Sequence, residues 1–435
     1  MERTEHPAVL IHGLFGWGKQ TPLFGWGPNY WPVADLDAVN PNYILVEVGV
    51  ASSDHDRACE VFYQLMGGRV DYGDDHASAK RHTRYGKTYQ TALHPNWSET
   101  NPVHLFGHSY GATTALELYQ LIATDFFGVG SSYKWVKSLV SIAGPLSGAT
   151  MSHMCGLQED LTIEAGSANH ALAVAVSVLW KLQQVFPALE GVYPIRMPQW
   201  LAYCKWSTIF SASNMPLKTG DSGECAVVST LPQPELAFDC LLPAYRFARN
   251  SRLVHMDKVH LISIVSRDEE PPALHVIDVA GLLLMALLWR RRQKHKWLLA
   301  LVAAMLFQRL RSADIAKVPF LLTHLLRWHA TTTKPIYAGF EKDKWAPNDG
   351  VVNTYSMLCP RYCETYPAQD AAKADLARVA SHVSIDMSDS TQVLPTGMWH
   401  VYRVAKNHFC GTQGDRDAKE LYTKLFRLLK SAQQA

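Results

Sequence analysis

The stretch Val103–Ala112, reading Val-His-Leu-Phe-Gly-His-Ser-Tyr-Gly-Ala, constrains this chain more than any other. An apolar run enters Gly-x-Ser-x-Gly and leaves into a helical pattern, Ala112 to Ile122. The bare pentapeptide is cheap, because at ordinary Gly and Ser usage roughly one chain of this length in ten carries it by accident. The flanking pattern gives it chemical meaning. A serine on a tight strand-to-helix turn has its hydroxyl raised above the sheet edge, and only glycines on either side let strand and helix approach closely enough. The N-terminus of the helix then offers backbone N–H groups to a developing oxyanion. Taken alone, the motif is equally an ordinary strand–Gly–helix turn with an exposed serine.

Three further segments complete a pattern. Ala8-Val9-Leu10-Ile11 is a short apolar run stopped by His12-Gly13, as expected of a central strand whose loop supplies an oxyanion donor. The candidate donors are the backbone N–H groups of Leu14 and of Tyr110, just after the serine. Asn348-Asp349-Gly350-Val351-Val352-Asn353 places an acid in a turn, and Val401–Asn407 reads as a last strand followed by His408. The order Ser109, Asp349, His408 is that of the α/β-hydrolase triad. In that scheme Ser109 attacks an acyl carbonyl, His408 moves the proton, and Asp349 fixes the imidazole tautomer. The residues alone do not select His408 among nineteen histidines, and His400 and His324 are rivals.

The chain resembles the secreted bacterial lipases typified by the thermophilic bacillus and staphylococcal enzymes. The resemblance runs from residue 8 to about 150, weakens, and returns at about 334–415. It is carried by His12-Gly13 with Gly16-Trp17-Gly18, by Ser53-Asp54-His55-Asp56-Arg57-Ala58-Cys59-Glu60, and by Gly67-Gly68-Arg69-Val70-Asp71-Tyr72-Gly73. Arg84-Tyr85-Gly86-Lys87-Thr88-Tyr89, the serine turn and Asn348–Asn353 continue it. The resemblance implies Asp349 as triad acid and His408, which follows Gly397-Met398-Trp399, as triad base. It also implies a zinc site whose ligands match Asp56, His76 and His82. The family's fourth ligand, an aspartate, falls at Pro198, which has no donor; Asp54, Asp74, Asp75 or water are the candidates for that place. Of the family's calcium ligands only Asp415 remains, with Cys410 where a glutamate is expected, so calcium is expected to be absent.

Strand patterns at 8–12, 43–50, 103–107, 136–143, 259–265 and 400–406 alternate with helical ones at 56–66, 112–123, 168–186, 317–328 and 416–432. That alternation predicts an α/β class protein with a mostly parallel, doubly wound sheet, here an α/β-hydrolase fold. We read 1–435 as one domain with insertions at 54–90 (zinc-site-like), 150–250 (lid or cap) and 276–312 (apolar–basic–apolar). Phe15-Gly-Trp-Gly18 and Phe24-Gly-Trp-Gly27 form a Gly/Trp-rich loop over the first strand, set to line an acyl pocket or simply to pack. Ala168–Phe186 is apolar almost all round its first three turns and matches the family's mobile lid helix; a helix packed in the core is the alternative. In Val279–Leu310, two runs of eleven uncharged residues flank Arg290-Arg-Arg-Gln-Lys-His-Lys296. Each run is about 16 Å as helix, too short to cross a hydrocarbon core of about 30 Å. Two interfacial helices with a basic patch fit it, as does a pair of helices covering the core.

A net charge of +2 over 435 residues argues against a nucleic-acid partner. Eight cysteines show no paired spacing that completes a zinc ribbon. The polar start Met1–His6 shows no secretory signal, which points to an intracellular protein with reduced thiols, associated with membrane or lipid droplets if 279–310 is an anchor. The function expected is a serine ester hydrolase, a lipase acting on acylglycerols at a lipid–water interface, needing no cofactor for its chemistry. The alternatives are a soluble carboxylesterase, phospholipase or acyltransferase on the same triad, or a membrane-associated protein with an inactive hydrolase fold.

Overall fold

The computed structural model describes residues 2–157, 163–164, 167–198, 217–219, 225–227, 236–267, 320–362, 380–389, 392 and 394–432. Twelve strands are present among them: β1 (Ala8–Ile11), β2 (Tyr43–Leu45), β3 (Gly68–Asp71), β4 (Tyr85–Tyr89), β5 (Val103–His108), β6 (Val136–Ile142), β7 (Ile163–Glu164), β8 (Leu217–Thr219), β9 (Cys225–Val227), β10 (His260–Ser266), β11 (His382–Ser384) and β12 (Trp399–Val404). Seven of them make one sheet in the order β11-β12-β10-β6-β5-β1-β2, and every pair in it is parallel.

The strand sequences explain why this sheet is covered on both faces. Within β1, Val9 and Ile11 pack into one apolar cluster and Ala8 and Leu10 into another. The same period-2 division separates Leu105 from Phe106, Leu139 from Val140, and Leu261 from Ile262. Strands apolar on both sides are what a doubly wound parallel sheet requires. One face is closed by the helices Asp54–Met66 and Tyr110–Ala123, through residues such as Leu65, Leu116 and Tyr119. The other is closed by Val33–Val39 and Ala418–Ala432, through Leu36, Tyr422 and Phe426.

The chain leaves β1 for β2 on one side, then crosses back to place β5 on the other. Crevices form at such a reversal, beyond the carboxyl ends of the two strands. Leu14 follows β1 and Ser109 follows β5, so both lie at this point.

Three readings of the sequence need adjustment. The strand expected over 43–50 ends at Leu45; Val46–Val50 continue as buried, irregular chain, with Val50 N–H bound to Ile195 O. The edge strand β11, three residues long, carries too short a pattern to be read. The helix expected at 317–328 is found at Phe320–Thr332. The insertion at 54–90 contains the Asp54–Met66 helix, the helix Asp74–Lys80 and the antiparallel pair β3–β4. Within 150–250, β7, β9 and β8 form a small antiparallel sheet. The segment Val279–Leu310, and the insertion 276–312 that holds it, lie outside the described residues.

Candidate active site

Strand β5 is wholly buried, and the chain turns sharply at its end. Ser109 has φ 54° and ψ −129°, backbone that a residue with a Cβ adopts only under strain, at a cost of about 1–3 kcal/mol. The flanking glycines make the turn possible. A Cβ on Gly107 would sit 2.2 Å from the Gly111 carbonyl oxygen, and one on Gly111 only 2.0 Å from that of Ile11. No side chain fits either place, which is the requirement inferred for the Gly-x-Ser-x-Gly turn.

The hydroxyl so presented meets two residues from the far end of the chain. His408 Nε2 lies 2.8 Å from Ser109 Oγ, and His408 Nδ1 lies 2.9 Å from Asp349 Oδ2. Asp349 is fully buried, and its carboxylate is held by other donors as well. Ser266 Oγ–H donates to Oδ2 at 2.6 Å, and the N–H groups of Val351 and Val352 donate to Oδ1 at 3.1 and 2.9 Å. The turn that carries this acid also holds the base, because His408 N–H donates to Asp349 O at 3.1 Å. With Asp349 accepting at Nδ1, the Nε2 lone pair faces the serine proton. The rivals lie elsewhere: His400 is buried within β12, its Nδ1 3.2 Å from Leu261 O, and His324 is on the Phe320–Thr332 helix.

The candidate oxyanion donors are equally well placed by their neighbours. Among the described residues neither the Leu14 nor the Tyr110 N–H is taken up by a hydrogen bond. The Leu14 N–H belongs to the Gly13–Leu14 peptide, whose carbonyl oxygen lies 2.9 Å from His12 Nδ1 and accepts the Gly16 N–H at 3.1 Å. A trans peptide directs its N–H opposite to its C=O, so these two bonds aim the Leu14 donor. Burial pushes His12 far below the ordinary histidine range, and Val48 N–H donates to its Nε2 at 3.3 Å. Neutral His12 therefore carries its proton on Nδ1 and gives it to Gly13 O.

A cavity of about 530 Å³ opens at the serine, with Leu14, Phe15, Trp17, Tyr30, Phe409 and Arg416 among the residues that line it. Trp17 of the first Gly/Trp repeat thus faces the cavity, whereas Phe24 and Trp26 of the second are exposed. The Ala168–Val185 helix packs Trp180, Val176 and Leu179 on a cluster that includes Leu14 and Phe15, next to the cavity. Tyr30 and His108 touch this site and went unread in the sequence. His108 occupies a variable position of the serine motif, and Tyr30 sits among aromatics that read equally well as packing.

A second cluster lies in the 54–90 region. His76 Nε2 and His82 Nε2 lie 3.0 and 3.4 Å from Asp56 Oδ1, and the three ligand atoms are all within 4.8 Å of one another. Bonds of 2.0–2.1 Å in a tetrahedral zinc site place ligand atoms about 3.3 Å apart, so the donor set fits that ion. His82 Nδ1 lies 2.9 Å from Thr83 O; donation there leaves Nε2 as the ligand atom. Burial raises the Asp56 carboxyl, but the hydrogen bonds from His76 and His82 outweigh it and hold the group well below the usual carboxylate range. Among the described residues none of Asp54, Asp74 and Asp75 joins the cluster. Asp54 instead pairs with Arg246 and accepts Thr113 Oγ1–H at 2.8 Å. Asp415, the remaining residue of the calcium pattern, is paired with Lys406, Nζ to Oδ1 2.5 Å.

Comparison with known proteins places these features. Residues 4–126 match a family model described as "Lipase-like, C-terminal domain". Over 117 residues the chain is 40% identical to Lipase 2 of Staphylococcus aureus, a match covering 25% of this chain and 16% of that protein. Lipase 1 of the same species is 36% identical over 125 residues, 28% of this chain and 18% of that protein. The chain therefore spans less than a fifth of these relatives. Among solved structures, lipase 1 from Pelosinus fermentans is 22% identical with a TM-score of 0.61, covering 98% of both chains. Staphylococcus hyicus lipase is 18% identical with a TM-score of 0.57, covering 99% of this chain and 94% of that one. EstA from Clostridium botulinum is 20% identical with a TM-score of 0.57, covering 98% and 88%. The protein has the α/β-hydrolase fold, as the strand and helix alternation led us to expect. The family-model match to the lipases lies in the first third of the chain.

Proposed function

We propose that this protein is a serine ester hydrolase acting on acylglycerols. The observation that carries this reading is the hydrogen-bonded line from Ser109 Oγ through His408 to Asp349, at 2.8 and 2.9 Å. Ser109 Oγ attacks the ester carbonyl while its proton passes to His408 Nε2. The carbonyl oxygen, now negative, takes hydrogen bonds from the Leu14 and Tyr110 N–H groups. His408 Nε2–H then protonates the leaving alcohol, and the acyl group stays on Ser109. Water, deprotonated by His408, releases the acid by the same steps in reverse. The cavity's apolar and aromatic lining suits an acyl chain, and the named lipases among its relatives support a lipid ester over a soluble one. The test is hydrolysis of emulsified long-chain triacylglycerol against short p-nitrophenyl esters. Ser109→Ala should abolish both, and Asp349→Asn and His408→Ala should each lose on the order of three to six decades, because the three act as one unit. Activity surviving in His408→Ala and lost in His400→Ala would show another base. Asp56, His76 and His82 would hold a structural zinc, tying the Asp74–Lys80 helix to the Asp54–Met66 helix; the ester chemistry has no step at that site.

A further inference from the structure

We propose that Tyr30 is a positioning residue that ties the oxyanion-donor loop to the loop of the catalytic histidine, acting through His108. This rests on the hydrolase reading. Four groups form one chain: Gly13 N–H to Tyr30 Oη at 2.9 Å, Tyr30 Oη to His108 Nδ1 at 2.5 Å, and His108 Nε2 to His408 O at 2.8 Å.

Each proton in that chain has one consistent place. The His408 carbonyl accepts only, so His108 Nε2 carries a proton. Burial, with the nearby His408 adding to it, pushes His108 down to about 3, so the ring is neutral and has no second N–H. Nδ1 must then accept, and Tyr30 O–H donates to it. Burial also raises the Tyr30 hydroxyl, which keeps that proton in place. The Gly13 N–H can only donate, and the Tyr30 oxygen receives it.

The chain joins three different strands of the sheet. Gly13 comes after β1, His108 closes β5, and His408 comes after β12. The backbone of Tyr30 makes a second tie to the histidine loop, since Gln413 N–H donates to Tyr30 O at 2.9 Å. The ring is held edge-on by Trp17, Trp31, His12 and His108, at centroid distances of 5.2–5.9 Å. Tyr30 also lines the cavity. Gly13 and His408 therefore keep their spacing around Ser109 because one hydroxyl bonds to both sides. Ordinary core packing would need the ring but not the oxygen.

The experiment compares wild type with Tyr30→Phe, which keeps the ring. Four quantities are read: kcat and KM for a soluble ester, affinity for a trifluoromethyl ketone that forms a tetrahedral adduct with serine, and Tm. The expected result is a kcat lower on the order of 10–100-fold, with ketone affinity lowered in parallel and KM within about twofold. A variant with kcat and ketone affinity within twofold of wild type overturns the proposal; so does a loss that tracks only a large fall in Tm. Histidine ¹⁵N spectra of the wild type give an independent reading, needed if Tyr30→Phe fails to fold. His108 should be a neutral Nε2–H tautomer that does not titrate between pH 5 and 9, and an Nδ1–H tautomer overturns the chain. The tautomer is read without turnover. Absence of any ester hydrolysis would thus remove the hydrolase reading and leave the spectrum to decide the chain.

Discussion

Individual residues here are governed by what burial demands of polar atoms. Asp349, His108 and His12 are all but fully buried, and each has its polar atoms paired in one definite pattern. Glu60 shows what burial does to a carboxyl even when both oxygens have partners. Burial pushes its carboxyl up to about 8, although Gly49 N–H lies 2.6 Å from one oxygen and Tyr72 Oη 3.1 Å from the other. A folded-state value above the unfolded 4.5 means that the folded protein keeps a proton which the unfolded chain has lost. Glu60 therefore contributes a loss of stability as pH rises from about 4.5 to about 8, and no further change above that. Glu60→Gln imitates the uncharged acid: its oxygen still accepts the Gly49 N–H, and its amide N–H donates to the Tyr72 oxygen in place of the O–H that Glu60 accepts. It should flatten the fall in Tm between pH 5 and 9, raising Tm at pH 9 by on the order of several degrees relative to wild type. Parallel pH profiles for the two proteins would show that Glu60 ionises freely in the fold. The serine motif and the acid in its turn were legible because each needs particular residue types at adjacent positions. Tyr30 and Ser266 were not, because His108 and Asp349, which they bond, are distant in the chain and both read as packing.

At the scale of elements, the 54–90 region sets the short Asp74–Lys80 helix and a strand pair beside the Asp54–Met66 helix, which packs on the sheet. The Asp74–Lys80 helix buries only Ala77, so side-chain ligation is the natural source of its hold on the Asp54–Met66 helix. Zinc at Asp56, His76 and His82 would stabilise the folded state by mass action, since the unfolded chain has no such cluster. Protein purified without added metal should contain about one zinc per chain, and a chelator should lower Tm while initial rates on a soluble ester change little. Metal analysis that finds none, together with a Tm indifferent to chelator, would make the cluster a hydrogen-bonded relic. The resemblance to the bacterial lipases pointed to these three residues, and the fold brings them together. That Asp54 is taken by Arg246 rather than joining Asp56, His76 and His82 was beyond the sequence, because Arg246 is 192 residues away.

At the scale of the whole molecule, no helix among the described residues is long and apolar enough to cross a membrane. We propose that the protein attaches to a lipid surface through segments that lie on it. The composition of Val279–Leu310 suits that part. Its basic residues should attract anionic lipid by about 1 kcal/mol each near the surface, screened within a Debye length. Replacing Arg290, Arg291, Arg292, Lys294 and Lys296 by Ser should weaken flotation with anionic vesicles and flatten its salt dependence, leaving soluble-ester hydrolysis intact. Unchanged flotation would show that the basic run makes no such contact. The sequence by itself determined the α/β class, the alternation that builds a parallel sheet, and the serine turn, because these depend on periodicity and on residues within a few positions of one another. The residues alone left His408, His400 and His324 open, the family resemblance pointed to His408, and the tertiary structure brings that residue to Ser109; only the tertiary structure decided that β1 and β5 stand side by side at the reversal of the sheet and that Tyr30 bridges Gly13 and His108. Those pairings join residues 17 to 299 positions apart. Their partners are chosen by burial and hydrogen-bond satisfaction in the folded chain, and no local pattern encodes that choice.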